Sequence, residues 1–164
     1  MRALEDVQAV EVLYQSMSAP EPGLRWIEPH ALAHDGFRWH VRAFCRRSGI
    51  FKDFVLSRIL EVRTATKRHQ ALSNPADDAA WHSTVTLQLR PHPALSQGQQ
   101  AAIRLDYGMD AAGQAEIIVR ESMLYYTLKR LGLDTDPAAR RPHDQKIVLA
   151  NAAEVFAHLG NAKI

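Results

Sequence analysis

Residues 37–47, FRWHVRAFCRR, alternate in character. Phe37, Trp39, Val41, Ala43 and Cys45 fall on one side of an extended chain, and Arg38, His40, Arg42, Phe44 and Arg46 on the other, because successive side chains of a strand point to opposite faces. A strand with one apolar and one cationic face needs a core against the first and either water or an anion against the second. Asp35-Gly36 before it and Ser48-Gly49 after it are turn dipeptides. Val7 to Ser16, Leu24 to Leu32 and Ile50 to Ser57 are further short extended runs, the first two separated by APEPG. Consecutive short strands with no long helix between them predict a small antiparallel sheet or barrel. Barrel closure would remove the exposed edges of so small a sheet.

Residues 64–81, TATKRHQALSNPADDAAW, break this pattern. They are polar, contain Asn74-Pro75, and are expected to form an inter-domain connection with at most one short helix; Asp77-Asp78 reads as a solvated acidic pair. The second half alternates strands and helices. WHSTVTLQLRP (81–91) and AEIIVRES (115–122) are strand-like. Ser96 followed by Gln99 has capping-box spacing, with Gly108 as the stop. Leu124, Leu128 and Leu131 have helical spacing before Gly132. QKIVLAN is extended, and Asn151 with Glu154 is expected to cap a last helix carrying Val155, Phe156 and Leu159 and ending at Gly160. The fold class is therefore α+β. A small antiparallel β-barrel over 1–66 and a linker over 67–80 precede a small α+β unit over 81–164.

A content of 46% hydrophobic and 23% charged residues is that of a globular chain. No apolar run approaches the length of a transmembrane helix. The acidic start, MRALEDVQAVEV, lacks the apolar stretch of a signal peptide. These features predict no membrane association and a cytoplasmic location. The single cysteine, Cys45, excludes an internal disulfide framework and a multi-cysteine zinc site; with Trp39 it is expected in the core. Charge is unevenly spread. Phe37 to Arg68 holds Arg38, Arg42, Arg46, Arg47, Lys52, Arg58, Arg63, Lys67 and Arg68 against only Asp53 and Glu61. Such a basic stretch points to a phosphate, nucleotide or nucleic-acid partner, with a solvated strand face as the alternative.

Enzymatic signatures are missing. There is no P-loop, nucleophile elbow or Gly-rich dinucleotide fingerprint. His30 and His34 are four apart, but EPHALAHDG is more strand than helix, so the spacing does not gather ligands on one face. No metal, no cofactor and no enzymatic activity are expected.

GFRWHVRAFCRRSGIFKDFVLSRILEV (36–62), preceded by RWIEPHAL (25–32), resembles the WYL domain. Trp39-His40-Val41 stands where that family's Trp-Tyr-Leu signature lies. YQSMSAPEPGLR, LDYGM and IIVRESMLYYTLKRLGLD are similar to the transcriptional regulators found beside bacterial phage-defence islands. The resemblance implies an Sm-like or SH3-like barrel whose polar face senses a ligand, followed by a C-terminal extension that makes a homodimer. DNA contact is expected only through a helix-turn-helix domain, for which the residues before the first strand show no pattern. Whether the chain is a fragment or a sensor-only form stays open.

Arg38, His40 and Arg42 are spaced two apart, which places their side chains roughly 6–7 Å apart along a strand, close to the spacing of backbone phosphates. Arginine offers a planar fork for phosphate oxygens, and histidine donates or stacks according to its charge. Tyr14, Ser16 and Ser18 alternate and could add hydroxyls. Phe44 and Phe54 could stack on bases, with a core role as the alternative for Phe54. The resemblance adds His30 on the approach strand and Arg58 on the closing one; Arg58 could equally pair with Asp53 or Glu61. The leading reading is a ligand-sensing and dimerisation module that binds a nucleotide or oligonucleotide effector. A stand-alone, non-specific nucleic-acid binder is the second, and a small nucleotide hydrolase the third. On the first reading, Arg42→Ala is expected to weaken effector binding and leave the fold intact.

Overall fold

The computed structural model describes residues 8–67 and 73–161. The chain divides into two compact units, Met1–Ala79 and Ala80–Ile164.

The first unit is one antiparallel sheet of β1 (Gln8–Tyr14), β2 (Gly23–His34), β3 (Trp39–Cys45), β4 (Ile50–Val55) and β5 (Ile59–Lys67), in the order β4-β3-β2-β1-β5. The two turn glycines beside β3, Gly36 and Gly49, have positive φ. One face carries the core: Val10, Val12, Tyr14, Ile27, Val41, Ala43, Cys45 and Phe54. Period two in β3 therefore has its apolar side where the alternation put it. Trp39 departs from it. It is 53% exposed, because it closes the β2–β3 ladder opposite His34 and packs on that ring at 4.9 Å, past the end of the core.

The closed barrel is not formed. β4 and β5 remain the two edges, with no ladder joining them among the described residues. A 3-10 turn, Leu56–Arg58, carries the chain from the edge of β4 to that of β1, where the Gln15 N–H donates to the Arg58 carbonyl at 3.0 Å. β5 then pairs with β1. The sheet nevertheless curls, since the Tyr14 ring meets Phe54 edge-on at 5.0 Å and the Val55 N–H donates to the Tyr14 hydroxyl at 3.3 Å. In β2 the register slips between Pro29 and Ala31. A bulge is where an interior strand tolerates proline, which has no N–H for the ladder.

β5 runs into the stretch expected to be a connection, and residues 73–79 pack within the first unit. Pro75–Asp77 is a 3-10 turn whose Asn74 side chain accepts the Ala76 N–H. The helical turn α1 (Ala79–His82) follows.

The second unit has a three-stranded antiparallel sheet, β7 (Ala115–Arg120), β6 (Thr84–Pro91) and β8 (Ile147–Leu149), in that spatial order. With it go α2 (Gln97–Asp106), α3 (Leu124–Leu131) and α4 (Ala152–Asn161). Its core includes Val85, Leu87, Leu89, Ile103, Leu124, Leu128, Ile147 and Val155. The Ser96–Gln99 capping box is complete. α3 stops at Gly132 with φ +68°, and a Cβ there would come within 2.7 Å of Arg140 Nη1. α4 continues through Gly160 to Asn161.

Asn151 does something other than a simple cap. Its Oδ1 accepts the Gln88 N–H at 3.1 Å, and its Nδ2 donates to the Thr86 carbonyl at 2.9 Å and to Glu154 at 3.1 Å. It clips the start of α4 to β6. Asn151→Ala should lower the stability of this unit by about 1–3 kcal/mol, since it strands a backbone N–H and a carbonyl that the fold has half-buried. The measurement is a shift of the urea midpoint; an unchanged midpoint would contradict the clip.

Candidate functional site

The hairpin of β3 and β4 places Arg42 directly opposite Asp53, so both side chains rise on the face turned away from the apolar core. Arg42 Nη1 donates to Asp53 Oδ2 at 3.1 Å. Its Nε and Nη2 donate to the two oxygens of Asp78, each at 2.8 Å. His30, in the β2 bulge, meets Asp78 Oδ2 through Nε2 at 2.8 Å. Arg42 and Asp78 are buried, the carboxyl of Asp78 almost completely. Phe51 completes the patch, edge-on to both His30 and Phe44 at 5.4 Å.

The same pattern repeats at both ends of β3. Asp35 receives the backbone N–H groups of Phe37 and Arg38 at 2.8 and 2.6 Å. Its Oδ2 also meets fully buried His40 Nε2 at 2.8 Å and lies 3.5 Å from Arg38 Nε. At the other end, buried Glu28 accepts from Arg46 Nε at 2.6 Å and from the Ser73 hydroxyl. The cationic face of β3 therefore meets carboxylates of its own chain. Asp78 is no solvated residue of a linker: it reaches back over the sheet to hold Arg42.

Electrostatics follow from this packing. Burial alone would raise the Asp78 carboxyl, but the hydrogen bonds from Arg42 and His30 outweigh it and bring its pKa down to about 2. For Asp35 burial again acts upward, and His40 with the two backbone N–H groups holds it well below the usual carboxylate range. Asp53 goes the other way. Burial pushes it up, and the charges of Arg42 and His40 do not fully offset that; its Oδ1 has no hydrogen-bond partner among the described residues. Burial works against the Arg42 guanidinium, yet Asp78 and Asp53 raise its pKa.

The ten residues singled out from the sequence fall into separate environments. His30 and Arg42 belong to the Asp78 cluster, and Arg38 and His40 to Asp35. Tyr14 and Phe54 lie in the core. Ser16 and Ser18 share a hydrogen bond at 3.0 Å on the surface beyond β1. Arg58 is half-buried in the turn before β5; Asp53 is taken by Arg42 and Glu61 by Arg63. Phe44 is buried against Phe51. Sequence reasoning missed the acids. Asp53 was legible, because a turn at Ser48-Gly49 sets 42 opposite 53 once the hairpin is drawn. Asp78 had no local signal.

Residues 1–64 match the WYL domain model, and residues 84–155 match that of the BrxR transcriptional regulator, C-terminal dimerization domain. Curated relatives carry the description DNA-binding transcriptional repressor CapW. The protein from Stenotrophomonas maltophilia is 40% identical over 158 residues, covering 94% of this chain and 51% of the relative. That from Pseudomonas aeruginosa is 38% identical over 155 residues, covering 94% and 50%. That from Escherichia coli (strain KTE188) is 36% identical over 159 residues, covering 97% and 52%. The chain spans about half the length of the curated relatives it matches. Among the described residues no helix is long and apolar enough to cross a membrane.

Removing Arg42 exposes no simple binding defect. It leaves two buried carboxylates facing each other without their cation, so Arg42→Ala should destabilise the first unit by about 3–5 kcal/mol. A substitution expected from the sequence to leave the fold intact therefore falls on a residue that the first unit is built around. Asp78 also sets a pH dependence. Its folded pKa lies below the ordinary 3.8, so its contribution is full above that value and is lost as pH falls through about 2. That contribution is on the order of 2 kcal/mol. Asp53, raised, has the opposite sign and softens the slope. Urea-unfolding stability should fall between about pH 4 and about pH 2, and less steeply in Asp78→Asn. Parallel profiles for the two proteins would contradict the assignment.

Proposed function

We propose that this chain, whose two parts match the WYL domain and the C-terminal dimerization domain of the BrxR transcriptional regulator, is the ligand-sensing and dimerising portion of a transcriptional regulator. DNA reading is assigned to the part of the longer relatives that this chain does not match. The effector is a phosphate-bearing molecule, a nucleotide or a short nucleic-acid strand. The chain works as a homodimer, so an effector bound to the WYL unit can change how two DNA-reading heads are held; that coupling requires an affinity difference between two states.

The observation that carries the effector reading is which cations stay accessible. Arg42 is enclosed with Asp78 and Asp53. Arg38 keeps about a third of its side chain in solvent. No ion pair engages the Arg58 side chain among the described residues. The ladder sets His40 opposite Val55, the Val55 N–H meets the Tyr14 hydroxyl, and the Gln15 N–H meets the Arg58 carbonyl. These contacts bring the start of β3, the turn after β4 and the end of β1 near one another, and the proposed site draws on Arg38, Arg58, Ser16 and Ser18 around them. Two arginine forks and a pair of hydroxyls suit a phosphate. A phosphate at Arg38 competes with Asp35, which also holds His40, so binding is felt inside the sheet. Arg42, His30 and His40 shape the site from within.

The same bookkeeping of charge counts against a non-specific polyanion surface. Arg42, Arg46 and Arg63 each already face a carboxylate, so the basic stretch is a weaker positive field than its composition suggests.

A thermal-shift series against mononucleotides, cyclic dinucleotides, oligonucleotides and short single-stranded DNA and RNA tests the reading. A ligand at a hundred times its Kd stabilises the folded state by about 2.7 kcal/mol. A defined nucleotide should raise the Tm, and Arg58→Ala should abolish the rise with the unliganded Tm unchanged. A rise that survives Arg58→Ala contradicts the site. Rises with every polyanion, erased by salt, would favour the non-specific binder.

A further inference from the structure

β7 is an edge strand of the second unit, and its solvent face reads Glu116, Ile118, Arg120. Ile118 is 69% exposed, a large apolar side chain in the middle of an open edge. An edge of this kind invites a second strand.

The direction of its backbone groups can be worked out. The Glu121 N–H donates to the Ser83 carbonyl at 3.0 Å. In an antiparallel ladder opposed residues alternate between hydrogen-bonded and non-hydrogen-bonded pairs, so Val119, Ile117 and Ala115 spend their backbone groups on β6, opposite Val85, Leu87 and Leu89. β6 agrees: the Gln88 carbonyl accepts the Ala150 N–H and the Thr86 carbonyl accepts from Asn151, both on the β8 side. Glu116, Ile118 and Arg120 therefore direct their N–H and C=O groups outward, away from β6.

We infer that β7 pairs antiparallel with β7 of a second copy of this chain about a two-fold axis at Ile118, joining the two three-stranded sheets into one. This register sets Ile118 against the partner's Ile118 and makes that couple a hydrogen-bonded pair. It also sets Glu116 against the partner's Arg120 and Arg120 against the partner's Glu116. The outward backbone groups and the charges are satisfied by the same two-fold, which a shift of one residue in the sum of the paired positions would undo. Arg120 is fixed in place within its own chain, its guanidinium 4.4 Å from the Trp81 ring centroid and donating to the Trp81 carbonyl. The inference rests on the homodimer reading and names its surface.

Sedimentation of the full chain and two sets of variants test it. In Ile118→Cys the new thiols lie about 5.5 Å apart measured Cα to Cα, within disulfide reach, so mild oxidation should give a crosslinked dimer. Glu116→Cys should not crosslink, and native Cys45 is buried. Glu116→Arg should weaken the dimer roughly ten-fold by placing like charges opposite each other twice, and Glu116→Arg combined with Arg120→Glu should restore it. A wild-type dimer that neither crosslinks through Ile118→Cys nor responds to Glu116→Arg overturns the β7 pairing and leaves dimerisation standing. A wild-type monomer overturns both.

Discussion

Arg42 carries a full charge into the packed outer face of a β-sheet, and the first unit is arranged to answer it. Taking a guanidinium out of water is costly unless its donors are met and its charge is balanced. Asp53 meets it from across the hairpin, and Asp78 grips it with both oxygens from 36 residues further along the chain. His30 then satisfies Asp78 from the bulge in β2. Three strands and the segment 73–79 are tied together through one side chain. The bulge, the hairpin register and the return of the chain after β5 each have a reason in this cluster.

The consequence for function is a division of labour. A basic face that looked from the sequence like an open landing surface is mostly closed by acids. Arg38, a third of whose side chain stays in solvent, and half-buried Arg58 lie where β3 begins and β5 starts. Asp35 links that rim to the interior because it holds both Arg38 and buried His40. Under the proposed function, a ligand that draws Arg38 away from Asp35 would change the environment of His40 and give a binding event at the surface a route into the sheet.

Much of the architecture was legible in local patterns. Period two located β3 and its apolar face, and the Ser96–Gln99 box and the Gly132 stop placed helix ends. These signals work because the interactions behind them span a few residues. What failed depended on distance. Trp39 has the right parity for the core but lies past its edge. Barrel closure depends on where β5 goes after a three-residue turn, which no alternation encodes. Asp78 sits beside Asp77 in a polar stretch, and only the folded sheet separates the buried acid from its neighbour. Asn151 looked like a cap from its spacing to Glu154 and proved to be a tether to β6.

The claim on which the rest turns is that Arg42 and Asp78 act as one buried unit. A double-mutant cycle of Arg42→Ala, Asp78→Ala and the pair, read by urea unfolding, measures it most directly. The account predicts that each single substitution costs nearly as much as both together, with a coupling of about 2–5 kcal/mol. Additive costs, with coupling below about 0.5 kcal/mol, would contradict it and return Arg42 to the set of residues free to meet a ligand.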